Sequence, residues 1–139
     1  MGDLVVTAAK VALCHPEKAE VYTGIAGVAI TAGQALYFVA ATGLLGLADE
    51  DLGAESSQVV GIALNGAGVG GAVDYVRRGC VYGFTLSGVN YGVACSLSNT
   101  AGALLDTAAT TNIVGRVHAL SDANLTKVLL VDVSPAAAS

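Results

Sequence analysis

Apolar residues in this chain gather in short runs rather than along a helical stripe. Residues 58–64 read QVVGIAL, 72–78 AVDYVRR, 80–86 CVYGFTL, 92–98 GVACSLS, 112–120 NIVGRVHAL and 126–133 TKVLLVDV. These runs are rich in Val, Ile, Tyr and Thr and are bounded by Gly, Asn, Asp or Ser, the composition of strands separated by turns. Upstream, residues 3–13 (DLVVTAAKVAL) open on β-branched side chains, and residues 19–30 (AEVYTGIAGVAI) follow a turn at Pro16. Residues 34–40 (QALYFVA) and 44–48 (LLGLA) are joined by ATG, a hairpin-like link. No segment keeps a helical period over three turns. The pattern predicts an all-β fold, either a small β-barrel or a jelly-roll-like β-sandwich. Residues 1–10 are expected to form a short extended N-terminal arm or a first strand, residues 11–133 a single β domain, and residues 134–139 (SPAAAS) a flexible tail.

The runs contain an internal echo. Gly33 and Gly43 bracket QALYFVAAT, and Gly92 and Gly102 bracket VACSLSNTA at the same separation. Each block is followed by a Val-Gly strand, VVGIAL at Val59 and IVGRVH at Ile113. Duplicated hairpin units and a chance recurrence in a Gly/Ala/Val-rich chain both account for this, and the spacing is too irregular for a solenoid.

Composition narrows the function classes. The 139 residues suit one domain, and only 12% of them are charged, with a formal net charge of -5. An acidic, charge-poor chain is a weak partner for nucleic acid, which is bound through Lys and Arg. Residues 21–48 and 79–105 carry no charge and are long enough to span a bilayer. Glycines and turn signals such as SGVNYG and SLSNTAG interrupt them, and no basic cluster flanks them, so no membrane partner is expected. No basic start followed by a long apolar run marks a signal peptide at the N-terminus. Cys14, Cys80 and Cys95 read as three reduced thiols of a protein made in a cytosol, with one disulfide plus a spare thiol as the lesser alternative. So little charge on so short a chain fits an assembled protein whose surface is covered by partners, or one whose exposed positions are mostly small residues.

The candidate chemistry is sparse. Gly66, Gly68 and Gly71 have the spacing G-x-G-x-x-G directly after an apolar run. A dinucleotide loop of that form leads into a helix whose amides meet the pyrophosphate, and an acidic residue about twenty positions on binds the ribose. Here AVDYVRRGCVYGF follows, which is strand-forming and glycine-broken, and no Asp or Glu lies between Asp74 and Asp106. The loop therefore reads as a strand–turn–strand link with glycines at positive φ, and no cofactor is expected. His15 and His118 are the only histidines, and neither they nor the cysteines show zinc-site spacing. Asp49, Asp51 and Glu55 are the only oxygen-rich group that suggests calcium, and a solvated acidic loop explains them more simply. Arg77 and Arg78 are adjacent, which on a strand points them to opposite faces. They are candidates for an oligomer interface through an inter-subunit ion pair, with ordinary surface charge as the alternative.

The order of these motifs resembles the capsid decoration (cement) proteins of tailed bacteriophages. The resemblance is carried by Gly33, Leu36 and Tyr37, then Thr42 and Gly43, then the V-G-I-A run at Val60, Gly61, Ile62 and Ala63, then the glycine-rich turn and strand from Gly70 to Gly79, with IVGRVHA near the C-terminus. It covers residues 21–133 and is a pattern of apolar and glycine positions without a catalytic signature. It implies a non-enzymatic virion protein, made in the host cytoplasm, that binds the major capsid protein outside the shell, commonly as a homotrimer between capsomers. It also implies an N-terminal arm pairing with the capsid protein, here Leu4, Val5, Val6 and Thr7 within GDLVVTAAK, although this arm is shorter than in many members. The alternative is a phage fibre-base or adhesion β-module binding a receptor or glycan, which exposed aromatic side chains would favour.

Overall fold

The computed structural model of the chain describes residues 4–49, 58–86, 88–98, 100–105 and 113–133. Within them the apolar runs become strands: β1 (Ala12–Leu13), β2 (Glu20–Ile25), β3 (Ala35–Phe38), β4 (Leu45–Leu47), β5 (Gly61–Ala63), β6 (Ala72–Tyr82), β7 (Ala94–Leu97), β8 (Leu104–Leu105), β9 (Ile113–Ala119) and β10 (Lys127–Asp132). The described helix is limited to two short 3-10 turns, Ala8–Lys10 and Pro16–Lys18. The strands form one antiparallel sheet that curls into a half-barrel, so the all-β expectation holds. The expected flexible tail at residues 134–139 lies outside the described residues, as does most of the acidic loop.

β6 is the spine. The sequence pattern divides it at Gly79, but the strand runs unbroken from Ala72 to Tyr82. Gly79 stays in the ladder opposite Val131, and a side chain there would press on Ala19 Cβ at 2.9 Å. One edge of β6 is lined by β2 and then β1, the other by β5 and then β10. Val76 shows the arrangement directly, because it pairs with Val21 on one side and Ile62 on the other.

The strand order β4-β3-β5-β6-β10-β9-β7-β8 reads as one four-strand unit followed by its reverse. The echo in the sequence is thus a repeat in space. Gly33 and Gly92 (φ +93° and +83°) stand just before β3 and β7, while Gly43 and Gly102 (φ +74° and +80°) stand just before β4 and β8. The registers match residue for residue. Leu36 pairs with Gly61 as Cys95 pairs with Gly115, and Phe38 pairs with Leu45 as Leu97 pairs with Leu104. Ile62 pairs with Val76 as Arg116 pairs with Leu130. Carrying this correspondence along β6 and β10 makes Arg78 the counterpart of Asp132, and those two residues face each other in the central ladder. The chain therefore holds two β-units related by a pseudo-twofold axis through the Arg78–Asp132 pair. The two Val-Gly motifs do the same work: a Cβ on Gly61 would sit 2.5 Å from the Val76 carbonyl oxygen, and one on Gly115 would collide with the Leu130 carbonyl oxygen.

Two apolar clusters flank the wall formed by β3, β5 and β6. Ala35, Ile62 and Val76 join the larger cluster, with Val81, Phe84, Leu97, Val114, Leu129 and Val131. Leu36, Ala63, Val73 and Tyr75 join the smaller one, with Ala26, Ile30 and Leu45. Strands covered on both faces carry continuous apolar runs instead of alternation, which accounts for β3 and β4 within the uncharged stretch 21–48, whereas β2 in the same stretch is largely exposed. Among the described residues no helix is long and apolar enough to cross a membrane. At the smaller cluster the sheet folds back on itself: Ala26 bridges to Leu45 of β4, so β2, β6, β5, β3 and β4 form a ring around these side chains.

Candidate functional site

A concavity lies at one end of that ring, where β2 and β5 begin and β3 ends. It is a cleft of 380 Å³ lined by Tyr22, Phe38, Gln58, Val59, Val60, Tyr75, Arg77 and Val133. Strand pairing builds it. Tyr22 and Tyr75 are direct cross-strand partners, and their rings stack with centroids 6.1 Å apart and an interplanar angle of 26°. Phe38 meets Tyr75 edge-on at 6.1 Å, the arrangement that ring quadrupoles favour. Tyr75 is only 6% exposed, whereas Tyr22 is 47% and Phe38 39% exposed. The cleft thus has a buried phenol for a floor and open aromatic walls. Burial raises the Tyr75 phenol above its ordinary value, and the neighbouring Tyr22 adds to the shift while Arg77 opposes it.

Arg77 supplies the cleft's positive charge. Its Nε donates to the Val133 carbonyl oxygen at 3.2 Å, which fixes the guanidinium. Its Nη atoms bond to no described residue. Arg78 is engaged within the chain, 3.1 Å from Asp132 and 3.6 Å from Glu20. The two arginines proposed together from sequence are therefore in different roles, one lining a cleft and one tying β2, β6 and β10.

Residues 4–7 lie along the domain's own surface. Leu4 donates its amide to the Leu104 carbonyl, Thr7 donates to Gly83, and Val5 accepts from Thr85. Val6 bridges to Phe84. Leu4 is buried in the larger cluster, while Val5 at 64% exposed and Thr7 face outward.

The remaining candidates do not converge. The glycine loop links β5 to β6 with no helix after it, and of its glycines only Gly70 has positive φ. The expectation of several positive-φ glycines there is corrected, because Asn65 does part of the turning: its side chain donates to the Gly66 and Ala72 carbonyls and accepts from the Asp74 amide. His15 Nε2 lies 3.1 Å from the Leu120 carbonyl oxygen, and His118 Nδ1 lies 2.9 Å from that of Ala119. Asp49 is buried, and Asp51 and Glu55 fall outside the described residues. No group of three or more His, Cys, Asp or Glu side chains is placed to hold a metal among the described residues. None of Cys14, Cys80 and Cys95 forms a disulfide. Cys14 and Cys80 are neighbours across β1 and β6, where the Cys14 amide donates to the Cys80 carbonyl at 2.9 Å. Burial, with Cys80 beside it, pushes the Cys14 thiol up to about 12.

Sequence reading missed the cleft. Tyr22, Phe38 and Tyr75 lie within three of the apolar runs, and nothing local marks which run ends at an opening. Tyr82 and Tyr91 are likewise exposed, with Lys127 Nζ 5.3 Å over the Tyr91 ring. Comparison with known proteins finds no matching family model, no matching curated protein and no matching solved structure.

Proposed function

We propose that this chain is a capsid decoration protein: a non-enzymatic β-module that attaches to the outside of a phage shell and holds neighbouring capsomers, acting as a homotrimer. The observation that carries the reading is the outer edge of β2. Among the described residues this strand pairs with β6 and its other edge is met only beyond its end, where Ala26 bridges to Leu45; along it and the following turn Val21, Tyr22, Ile25 and Val28 are all solvent-facing. An unpaired apolar edge is a template for a strand from another chain, and isolated proteins normally blunt such edges with charge. Here Glu20 is the only charged residue on β2, which suits a surface covered by a partner. Val5 and Thr7 extend the attachment surface, while Leu4 anchors the segment to its own core. Many copies on one particle then give avidity without strong individual contacts.

The test is co-sedimentation with expanded capsids that lack the protein, from the same source. Saturable binding at a whole number of copies per local threefold axis is expected, and Val21→Lys with Ile25→Lys should abolish it in a folded protein. Absence of binding by a folded wild-type chain overturns the reading. The exposed Tyr22 and Phe38 favour a second reading, an adhesion module with a glycan ligand.

A further inference from the structure

We infer that the aromatic cleft is a binding site for a carboxylate-bearing saccharide, a uronic-acid type of sugar residue within a polysaccharide. The inference deepens the adhesion reading and does not depend on capsid attachment.

The pseudo-twofold axis supplies an internal control. By register, Phe38 corresponds to Leu97, Tyr75 to Leu129 and Arg77 to Val131. In the second unit those three side chains are aliphatic and sealed inside the larger cluster. In the first unit the same three places carry two aromatic rings and a guanidinium around an open cleft. The fold alone therefore asks only for aliphatic packing at these positions, and it is satisfied by that in the other copy. The aromatic and cationic set needs another explanation.

The set fits one ligand chemistry. Tyr75 is more than nine-tenths buried and lines the cleft, and its hydroxyl bonds to no described residue. The stacked Tyr22 and edge-on Phe38 offer flat walls for the apolar C–H face of a pyranose, and phenol and Gln58 amide groups meet its hydroxyl rim. The Nη atoms of Arg77, which bond to no described residue, suit the planar two-oxygen geometry of a carboxylate. Arg77 is one of only six basic residues in a chain of net charge -5, so a cation placed in an apolar cleft selects an anionic group against the overall field. The volume of 380 Å³ and the open walls accommodate one ring of a longer chain passing through.

The test uses the full chain with a glucuronate-containing tetrasaccharide and its carboxyl-reduced neutral counterpart, followed by titration calorimetry and by tyrosine fluorescence in this Trp-free protein. Saturable binding of the acidic form is expected, with at least about tenfold weaker binding of the neutral form. Arg77→Gln should erase that preference, and Tyr22→Ser or Phe38→Ala, both at exposed positions, should weaken both forms with the melting temperature little changed. Equal binding of the two forms overturns the acidic assignment while leaving an adhesion module standing. Absence of any binding overturns the site. So does sedimentation showing that Phe38→Ala dissociates an oligomer of a chain that binds neither sugar, because the cleft is then a contact between copies.

Discussion

Replacing Gly61 or Gly115 by alanine tests the central structural claim, that the two Val-Gly motifs are equivalent close approaches between strands. An added Cβ at Gly61 meets the Val76 carbonyl oxygen at 2.5 Å and Tyr75 Cδ2 at 2.7 Å, and at Gly115 it meets the Leu130 carbonyl oxygen. The obstacles are mainly backbone atoms in a paired ladder, which cannot rotate away. Relief requires the strands to separate, so each substitution should fall at or above the upper part of the overpacking range, about 2–3 kcal/mol or more. Two other glycines separate this effect from the loss of glycine itself. Gly68 has open space and no unusual φ, so Gly68→Ala should be neutral or stabilise by about 0.5 kcal/mol through the unfolded chain. Gly43 also has open space but φ +74°, so Gly43→Ala should cost about 1–2 kcal/mol from backbone strain alone. Urea unfolding followed by far-UV circular dichroism and tyrosine fluorescence gives the four values on one scale. The expected order of cost is Gly61 and Gly115 together, then Gly43, then Gly68. Gly61→Ala or Gly115→Ala as mild as Gly68→Ala would refute the packing argument, and a large disparity between the two would refute their equivalence.

Three further outcomes are expected. Leu4→Ala should destabilise the isolated protein by about 2 kcal/mol or more in the same unfolding assay, because Leu4 belongs to the core; no effect would mean that residues 4–7 detach in solution. A double-mutant cycle on Arg78 and Asp132 should return a coupling of only about 0.2–1 kcal/mol at low salt, shrinking as salt is added, since both side chains are half exposed or more. The Cys14 thiol titrates near 9.0 when unfolded and at about 12 when folded, so the folded state holds its proton more tightly across that window; stability should fall as pH rises from 9 towards 12, and Cys14→Ala should flatten the decline in thermal melts.

Much of the architecture is legible in the sequence because it rests on local chemistry. The hairpin of β3 and β4 announces itself through Thr42 and Gly43, and β9 and β10 through β-branched runs bounded by polar turns. β8 escapes notice because two leucines after a turn carry no pattern of their own. The division at Gly79 fails for a different reason: glycine there relieves crowding against Ala19 and does not end the strand. The duplication is visible only as a faint echo, since four glycines and two Val-Gly pairs are what the turns and close approaches demand, while the intervening side chains are free to diverge. The cleft is the least legible feature. Its residues come from five separate stretches, around Tyr22, Phe38, Val59, Tyr75 and Val133, and only the closure of β2 onto β4 brings them to one opening. The adjacent Cys14 and Cys80 illustrate the same limit, being far apart in the chain and joined solely by the register of β1 on β6.

The Arg78–Asp132 pair lies where the molecule's two halves meet their own mirror position in the ladder. Were the two units separate, identical chains, the residue on that axis would face a copy of itself, and any charge there would meet a like charge. A cation opposite an anion is permitted at such a point only when one polypeptide encodes both sides independently. The covalent link between the units thus frees each half to specialise: the axis acquires complementary charges, one unit closes over an aliphatic interior, and the other leaves its interior open to the outside.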